Sequence, residues 1–396
     1  MKKIEKLQTP YFLIKEKELK NNIENLEKAL KKYWNNFKIA YSCKTNSLPW
    51  ILNYIKNAEC EIEVVSDTEY ELVKKIGFKN ENIIFNGPNK SKDKFLEAIK
   101  NKLIINIDSN NEIEWLKELD KNLSEKIDIG IRVNFNLEKD CPGETGFFNE
   151  GSRFGFSYET GDLRNKIATI NNLKNIKVKG LHIHNTTKTR SVNAYISICE
   201  CANNISEWLD YNLSYVDIGG GFFGGVPGKT TFEEYLENIS KILIKKFNPQ
   251  KTALIVEPGS ALIGSPIDFV AEVIDIKDTF AKRIVVINGS RNNIDPFFIK
   301  KSYFFKTEVI NRKIKDKQLI CGCSCLDNDR LMELENYQEL KKGDRITFEK
   351  VGSYTMALSP LFIEYFPDVY VKKEGGNIIK VREKWGINEF LQNSKY

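Results

Sequence analysis

Between residues 37 and 256 the chain repeats one unit eight times: a short apolar run, then a stretch long enough for a helix. The runs cover 37–43, 58–65, 83–85, 103–107, 127–133, 178–183, 215–218 and 253–256. Each is too short for a helix, whereas residues 20–33 before them place Ile23, Leu26, Ala29 and Leu30 at a helical period. Strands that alternate with helices build a parallel sheet. Eight such units predict an α/β fold of the (β/α)8 TIM-type barrel, with a doubly wound open sheet as the competitor. The residues ending the runs favour the barrel: Lys44, Ser66, Asn86, Asp108, Arg132, His184, Gly219 and Glu257. A barrel collects its strand ends at one mouth, where a polar residue on every strand has a use.

After Pro266 the pattern changes to short strand-like runs at 269–276, 283–287, 318–320, 345–348 and 368–371, separated by turn residues. The expected division is a barrel over 20–265 and a C-terminal mainly-β domain over 266–396. A strand in the segment 1–19 should join the β domain, because 10–14 has no partner in the barrel. A chain of 396 residues with 41% apolar and 29% charged residues suits two such domains. The net charge of +6 is spread along the chain, which gives no reason to expect a nucleic-acid partner. No run approaches the roughly 20 apolar residues of a membrane helix. The N-terminal stretch lacks the apolar centre of a signal peptide, so the expected location is cytoplasmic. Eight cysteines without a disulfide-type spacing agree with that expectation.

Several strand ends carry chemistry. The only two histidines form His182-Ile-His184, and on a strand both point to one face. A His-x-His pair can bind metal, but no further histidine exists to complete such a site, and Cys321-Gly-Cys323-Ser-Cys325 lacks a partner motif. No metal is expected. Asp217-Ile-Gly219-Gly220-Gly221 ends the seventh run with three residues whose N–H groups can crowd an anion, where barrels commonly bind phosphate. Glu257-Pro-Gly259-Ser260 follows on the eighth. A lysine, a flat ring, a phosphate cradle and an acid are what a pyridoxal 5′-phosphate (PLP) site requires. The lysine holds the cofactor covalently, and the acid keeps its ring nitrogen protonated.

In order along the chain, Tyr41-Ser-Cys-Lys44-Thr-Asn46, Glu63-Val-Val-Ser66, Phe85-Asn-Gly-Pro-Asn-Lys90, Asn106-Ile-Asp108-Ser109, Arg132-Val-Asn134, Ser152-Arg-Phe-Gly155, Leu181-His-Ile-His184, Glu257-Pro-Gly259, Gly322-Cys-Ser-Cys325 and Gly352-Ser-Tyr354-Thr-Met356 resemble the motifs of the PLP-dependent ornithine/diaminopimelate decarboxylase family of fold type III, whose barrel is like that of alanine racemase. The resemblance spans nearly the whole chain. It implies that Lys44 binds PLP, that His184 stacks on it, that Glu257 meets the pyridine nitrogen, and that Tyr354 reaches the phosphate. It further implies a head-to-tail homodimer in which Cys325 serves the partner's site as proton donor. Glu63 and Arg132 stand at cofactor-contacting positions of the family pattern.

Some residues depart from that pattern. Leu326 replaces the acid that meets a distal ammonium, and an unpaired buried ammonium would be costly. Arg291-Asn-Asn-Ile-Asp295-Pro-Phe lacks the R-P-A-L-Y stretch with which diaminopimelate decarboxylases hold the far carboxylate; Asp295 or Arg291 is left as a substitute. Thr187 stands in for a phosphate-binding serine, and Ser260 replaces the arginine of E-P-G-R. These changes lead to the expectation of a derivatised amino-acid substrate, carrier-tethered or citryl-linked, in siderophore or antibiotic assembly. The alternatives are diaminopimelate decarboxylation in lysine biosynthesis, racemisation, or cofactor binding without catalysis.

Overall fold

The computed structural model describes residues 7–146 and 150–395. The chain divides into two compact units, Ile23–Ala261 and Met1–Asn22 with Leu262–Tyr396. Residues 1–6 of the segment expected to join the β domain lie outside the described residues.

The first strand, β1 (Tyr11–Lys15), belongs to the sheet unit, and the barrel strands follow it: β2 (Phe37–Ser42), β3 (Glu61–Val64), β4 (Ile83–Phe85), β5 (Ile104–Ile107), β6 (Ile127–Asn134), β8 (Ile176–His182), β9 (Tyr215–Asp217) and β10 (Ala253–Val256). A two-residue strand, β7 (Phe156–Ser157), lies beside β6. The order β5-β4-β3-β2-β10-β9-β8-β6, with β5 also paired to β6, closes eight parallel strands into a barrel. The open sheet is thereby excluded.

Caps make the strand-to-helix turns short. Ser66 accepts from the Glu69 N–H at 3.2 Å at the start of the helix Asp67–Ile76. Ser109 with Glu112, and Thr231 with Glu234, form capping boxes at the helices Asn110–Asp120 and Phe232–Leu243. One strand begins later than its apolar run. Ala58 to Cys60 look like strand, but the Ala58 N–H donates to Tyr54 O at 2.9 Å and closes the helix Pro49–Asn57. Pairing therefore starts at Glu61, opposite Ala40.

The parallel register decides which side chains meet at the mouth. Ser42 pairs with Glu63, Arg132 with His182, and His182 with Asp217. Adjacent strands thus deliver acid, imidazole and guanidinium side by side before any loop contributes.

The sheet unit is built from β1 with β11 (Ile267–Asp278), β12 (Arg283–Ile287), β13 (Phe304–Thr307), β14 (Ile314–Cys321), β15 (Arg330–Gln338), β16 (Arg345–Glu349), β17 (Asp368–Lys372) and β18 (Ile378–Arg382). β1 runs antiparallel to β11, Phe12 opposite Phe269, and parallel to β17, Phe12 opposite Val369. Phe12, Phe269 and Phe348 are fully buried there. Among the described residues no helix is long and apolar enough to cross a membrane.

Candidate active site

Lys44 sits on the single turn Cys43–Thr45 that follows β2, so its side chain enters the barrel mouth from a strand end. Its Nζ lies 3.0 and 2.8 Å from the two oxygens of Glu63. The Glu63 carboxylate is almost wholly buried and also accepts from Ser42 Oγ at 2.6 Å. A buried carboxylate needs such donors to remain charged.

Glu257, at the end of β10, which pairs with β2, is buried beside that pair. Its Oε1 accepts from Asn86 Nδ2 at 2.5 Å, and its Oε2 is 3.4 Å from His182 Nε2. Asp217 on β9 completes the group. One Asp217 oxygen accepts the Gly219 N–H at 2.9 Å, while Oδ2 and both ring nitrogens of His182 are buried without a hydrogen-bond partner. Burial drives the Asp217 carboxyl well above the ordinary carboxylate range, and the neighbouring Glu257 raises it further. Burial acts on Glu257 in the same sense, but His182, Lys44 and Asp217 outweigh it and hold this acid below its usual range. Two carboxyl groups so close keep one proton between them; Asp217 carries it and Glu257 is ionised. Ligand atoms of His182, Asp217 and Glu257 all lie within 4.8 Å of one another, a spacing that a small cation could bridge.

His184 lies on the glycine turn. Its Nδ1 accepts the Gly220 N–H at 3.3 Å, and its ring is within 11° of parallel to that of His182. Burial and the nearby Arg132 push the His184 imidazole down to about 3, so the ring is neutral. A Cβ at Gly219 would come within 2.3 Å of His184 Nδ1, and one at Gly220 within 2.2 Å of Glu257 O. Side chains there would fill the space against which the imidazole and the strand end pack. Gly221 follows at φ +97, where a Cβ would come within 3.0 Å of Tyr195 Oη. At Gly259 a Cβ would sit 2.0 Å from Thr45 Oγ1, which brings the start of the helix Ser260–Ile263 close to the lysine turn.

Arg132 donates to Asp108 at 3.1 Å, and its guanidinium lies 4.5 Å from the Phe154 ring centre. Lys44, Glu63, Arg132, His184 and Glu257 all line one cavity of about 770 Å³, which continues along residues 134–138 and 150–154. Thr187 lies on the loop after β8 and is not among the residues lining it. An ionised acid, a neutral ring and a lysine around a volume of that size fit a phosphorylated pyridine aldehyde. The orphaned atoms of His182 and Asp217 mark polar space beside the acid.

The remaining sequence candidates belong to the sheet unit. Cys325 is exposed on a loop organised by the buried Asp329, which accepts from Ser324 N and Oγ at 3.1 and 2.5 Å and from Arg291 N at 2.7 Å. Leu326 is in the same loop. Asp295 accepts from Arg291 Nε and Nη2 at 3.1 and 2.9 Å, from the Lys300 N–H at 2.9 Å and from Tyr303 Oη at 3.4 Å. The two residues left as alternative substrate contacts are thus each other's partner. Tyr354 adopts φ +66 and packs edge-on against Phe297.

Three residues with consequences for the acid escaped the sequence reading: Asn106 as partner of Asn86, Tyr215 as partner of Asn106, and Asp217 as the proton holder. Tyr215 Oη donates to Asn106 Oδ1 at 2.8 Å, and Asn106 Nδ2 donates to Asn86 Oδ1 at 2.8 Å. Gly130 and Gly180, inside strands, were the available signal, since glycine there marks a close approach.

Residues 17–264 match the pyridoxal-binding domain of the pyridoxal-dependent decarboxylases, and residues 265–352 match the C-terminal sheet domain of the same enzymes. The chain is 23% identical to the diaminopimelate decarboxylase of Aquifex aeolicus over 98% of its own length and 91% of the relative's. It is 24% identical to that of Methanocaldococcus jannaschii over 90% and 84%. The crystal structure of diaminopimelate decarboxylase from M. jannaschii superposes with a TM-score of 0.89 at 21% identity, covering 99% of this chain and 93% of that one. The arginine decarboxylase of Paramecium bursaria Chlorella virus gives 0.77 at 20% identity, covering 92% and 96%. With both of its domains matched in order, the chain belongs to the family of pyridoxal-dependent decarboxylases, and its cofactor is pyridoxal 5′-phosphate.

Proposed function

We propose that this decarboxylase removes a carboxylate from the α carbon of diaminopimelate or a close analogue, with Lys44 as the cofactor-bearing residue. The observation that carries the site assignment is the placement of Lys44, Glu63, His184 and Glu257 around one cavity at the C-terminal ends of the barrel strands. The substrate reading leans on the relatives, which are diaminopimelate decarboxylases matched over most of their length. They favour this substrate over the derivatised one expected from the altered motifs.

The bound cofactor supplies an electron-accepting ring that takes the pair released when the Cα–carboxylate bond breaks. Lys44 holds it covalently, and Glu63 Oε2 takes the Lys44 proton before the amine can act. Glu257, ionised at neutral pH, faces the ring nitrogen and keeps a proton there. His184, neutral, lies on the ring face. The turn Gly219–Gly221, with Ser260 and Tyr354, would hold the phosphate, and Arg132 borders the site. Cys325 Sγ, supplied by the second subunit of a homodimer, returns a proton to the α carbon.

A second reading rests on Asp295 and Leu326. An acid stands where the diaminopimelate pattern has its carboxylate-binding arginine, and it is held by Arg291 with only 1% of its side chain exposed. Leu326 offers nothing to a distal ammonium. Both favour a substrate whose far end is derivatised, as in an amide or ester. Measuring CO2 release from meso-diaminopimelate, ornithine, arginine and a citryl-linked diamine separates the readings. Turnover of meso-diaminopimelate with kcat/KM at least tenfold above the others supports the first. Turnover of the citryl-linked compound alone overturns it.

A further inference from the structure

The interior of a parallel barrel is ordinarily filled by layers of branched apolar side chains. Here a tyrosine hydroxyl is buried in it instead, and two strands make room for the ring. A Cβ on Gly180 of β8 would lie 2.0 Å from Tyr215 Cζ, and one on Gly130 of β6 would lie 2.0 Å from its hydroxyl and 1.9 Å from Asn106 Oδ1. Around the ring are Ala40, Ile84, Ala253 and Ile255, none of which can hydrogen-bond through a side chain. The hydroxyl donates to Asn106, and the chain of donors continues through Asn86 to Glu257 Oε1.

The direction of this chain is set from both ends. A tyrosine hydroxyl that donates to Asn106 Oδ1 leaves the Asn106 Nδ2 to donate onward to Asn86 Oδ1. At the other end the Asn86 amide nitrogen faces two acids, Glu257 Oε1 at 2.5 Å and Glu63 Oε1 at 3.4 Å. A reversed amide would press its oxygen against both. Every link therefore points a hydrogen toward Glu257.

We propose that Tyr215, Asn106 and Asn86 are positioning residues that hold Glu257 Oε1 inward as an acceptor and leave Oε2 for the cofactor's ring nitrogen. This rests on the reading that Glu257 meets that nitrogen. The chain fixes which oxygen is free and gives the ionised acid a donor. It also ties the acid to Glu63, the partner of Lys44, through a single amide. The other groups facing Glu257 are His182 from β8, Asp217 from β9 and Lys44 from the turn after β2, with Glu63 behind Asn86. None of them is altered by changing Tyr215 or Asn106.

The test uses Tyr215→Phe, Asn106→Asp and, as a control on Glu257 itself, Glu257→Gln, each as cofactor-loaded enzyme. The readouts are kcat, KM, thermal unfolding, and the pH midpoint at which the visible absorbance of the bound cofactor changes form. Asn106→Asp, with its carboxyl ionised, offers Asn86 only acceptors, so the Asn86 amide turns its oxygen to Glu257 and that acid takes a proton; with its carboxyl protonated it keeps the chain, and the tyrosine variant then decides. The expected result is a displaced midpoint and a kcat reduced about tenfold, equivalent to about 1.4 kcal/mol, at similar KM. Tyr215→Phe, which deletes only the hydroxyl, should move both in the same direction, with kcat reduced about threefold. Should Asn106→Asp not fold, the tyrosine variant decides. A purely structural role would lower the unfolding temperature and leave the midpoint in place, and that result overturns the proposal. If Glu257→Gln alters the midpoint while the other two keep it, only the chain is wrong. If Glu257→Gln also keeps native kcat and midpoint, the role given to Glu257 is wrong as well.

Discussion

Asp217 and Glu257 share a dry space in which two negative charges would be far more costly than one. Because Asp217 holds the proton, asparagine is a close mimic of it: its oxygen can accept from Gly219 N–H and its amide can donate to Glu257. Asp217→Asn should change the unfolding free energy by no more than about 0.5 kcal/mol, whereas Asp217→Ala should cost about 1–3 kcal/mol. Denaturant titration of both variants checks this; a larger loss for asparagine than for alanine would contradict it. His184 makes a prediction about pH. Its folded value, about 3, lies below the ordinary 6.5, so between those values the unfolded chain binds the proton more tightly. The stability it contributes is complete above pH 6.5 and is lost as pH falls toward 3. Denaturant midpoints of the cofactor-free protein should therefore fall over that window, and less steeply in His184→Gln. Lys44, His184 and Glu257 were legible in the sequence because each is a scarce, chemically distinctive residue at the end of an apolar run. Tyr215 was not, because an aromatic residue opening a strand looks like core until the glycines opposite it are placed.

Alternation carried most of what could be read about the elements. The barrel strands are buried on both faces and appear as short unbroken apolar runs, which the eye finds in sequence. The strands that escaped notice, β13, β15 and β18, lie at the margins of the sheet unit, where β15 and β18 end the strand order and β13 pairs only with β16. Their outward faces carry charge, as in Arg330, Glu333 and Glu335 of β15, so no apolar run forms. The early start given to β3 has the opposite cause, since Ala58 is apolar for the sake of a helix end. At this scale Gly180 offers the sharpest test. Gly180→Ala should destabilise the protein by about 3 kcal/mol, because the neighbouring strands leave Tyr215 nowhere to move. Gly375→Ala, with nothing within 4 Å, should stay within about 0.5 kcal/mol. Equal effects in thermal melts would mean that the barrel interior is looser than described.

For the whole molecule, the order of the motifs along the chain was enough to place the family, while the substrate was not legible. The motifs reside largely at strand ends, whereas the residues proposed to meet the substrate's far end, such as Asp295 and Leu326, lie outside any strand. The proposed shared-site homodimer, with Cys325 acting across subunits, predicts that mixed Lys44→Ala and Cys325→Ala chains recover activity that neither has alone. Failure to recover any, in a mixture shown by native mass spectrometry to contain mixed dimers, would place Cys325 outside the reaction or in its own subunit's site. The most direct measurement of the central claim is to treat the cofactor-loaded enzyme with borohydride and locate the reduced adduct by peptide mass spectrometry. The adduct is expected on Lys44, beside Glu63, and on no other lysine. An adduct on a different lysine, or none with cofactor present in stoichiometric amount, would contradict the site described above.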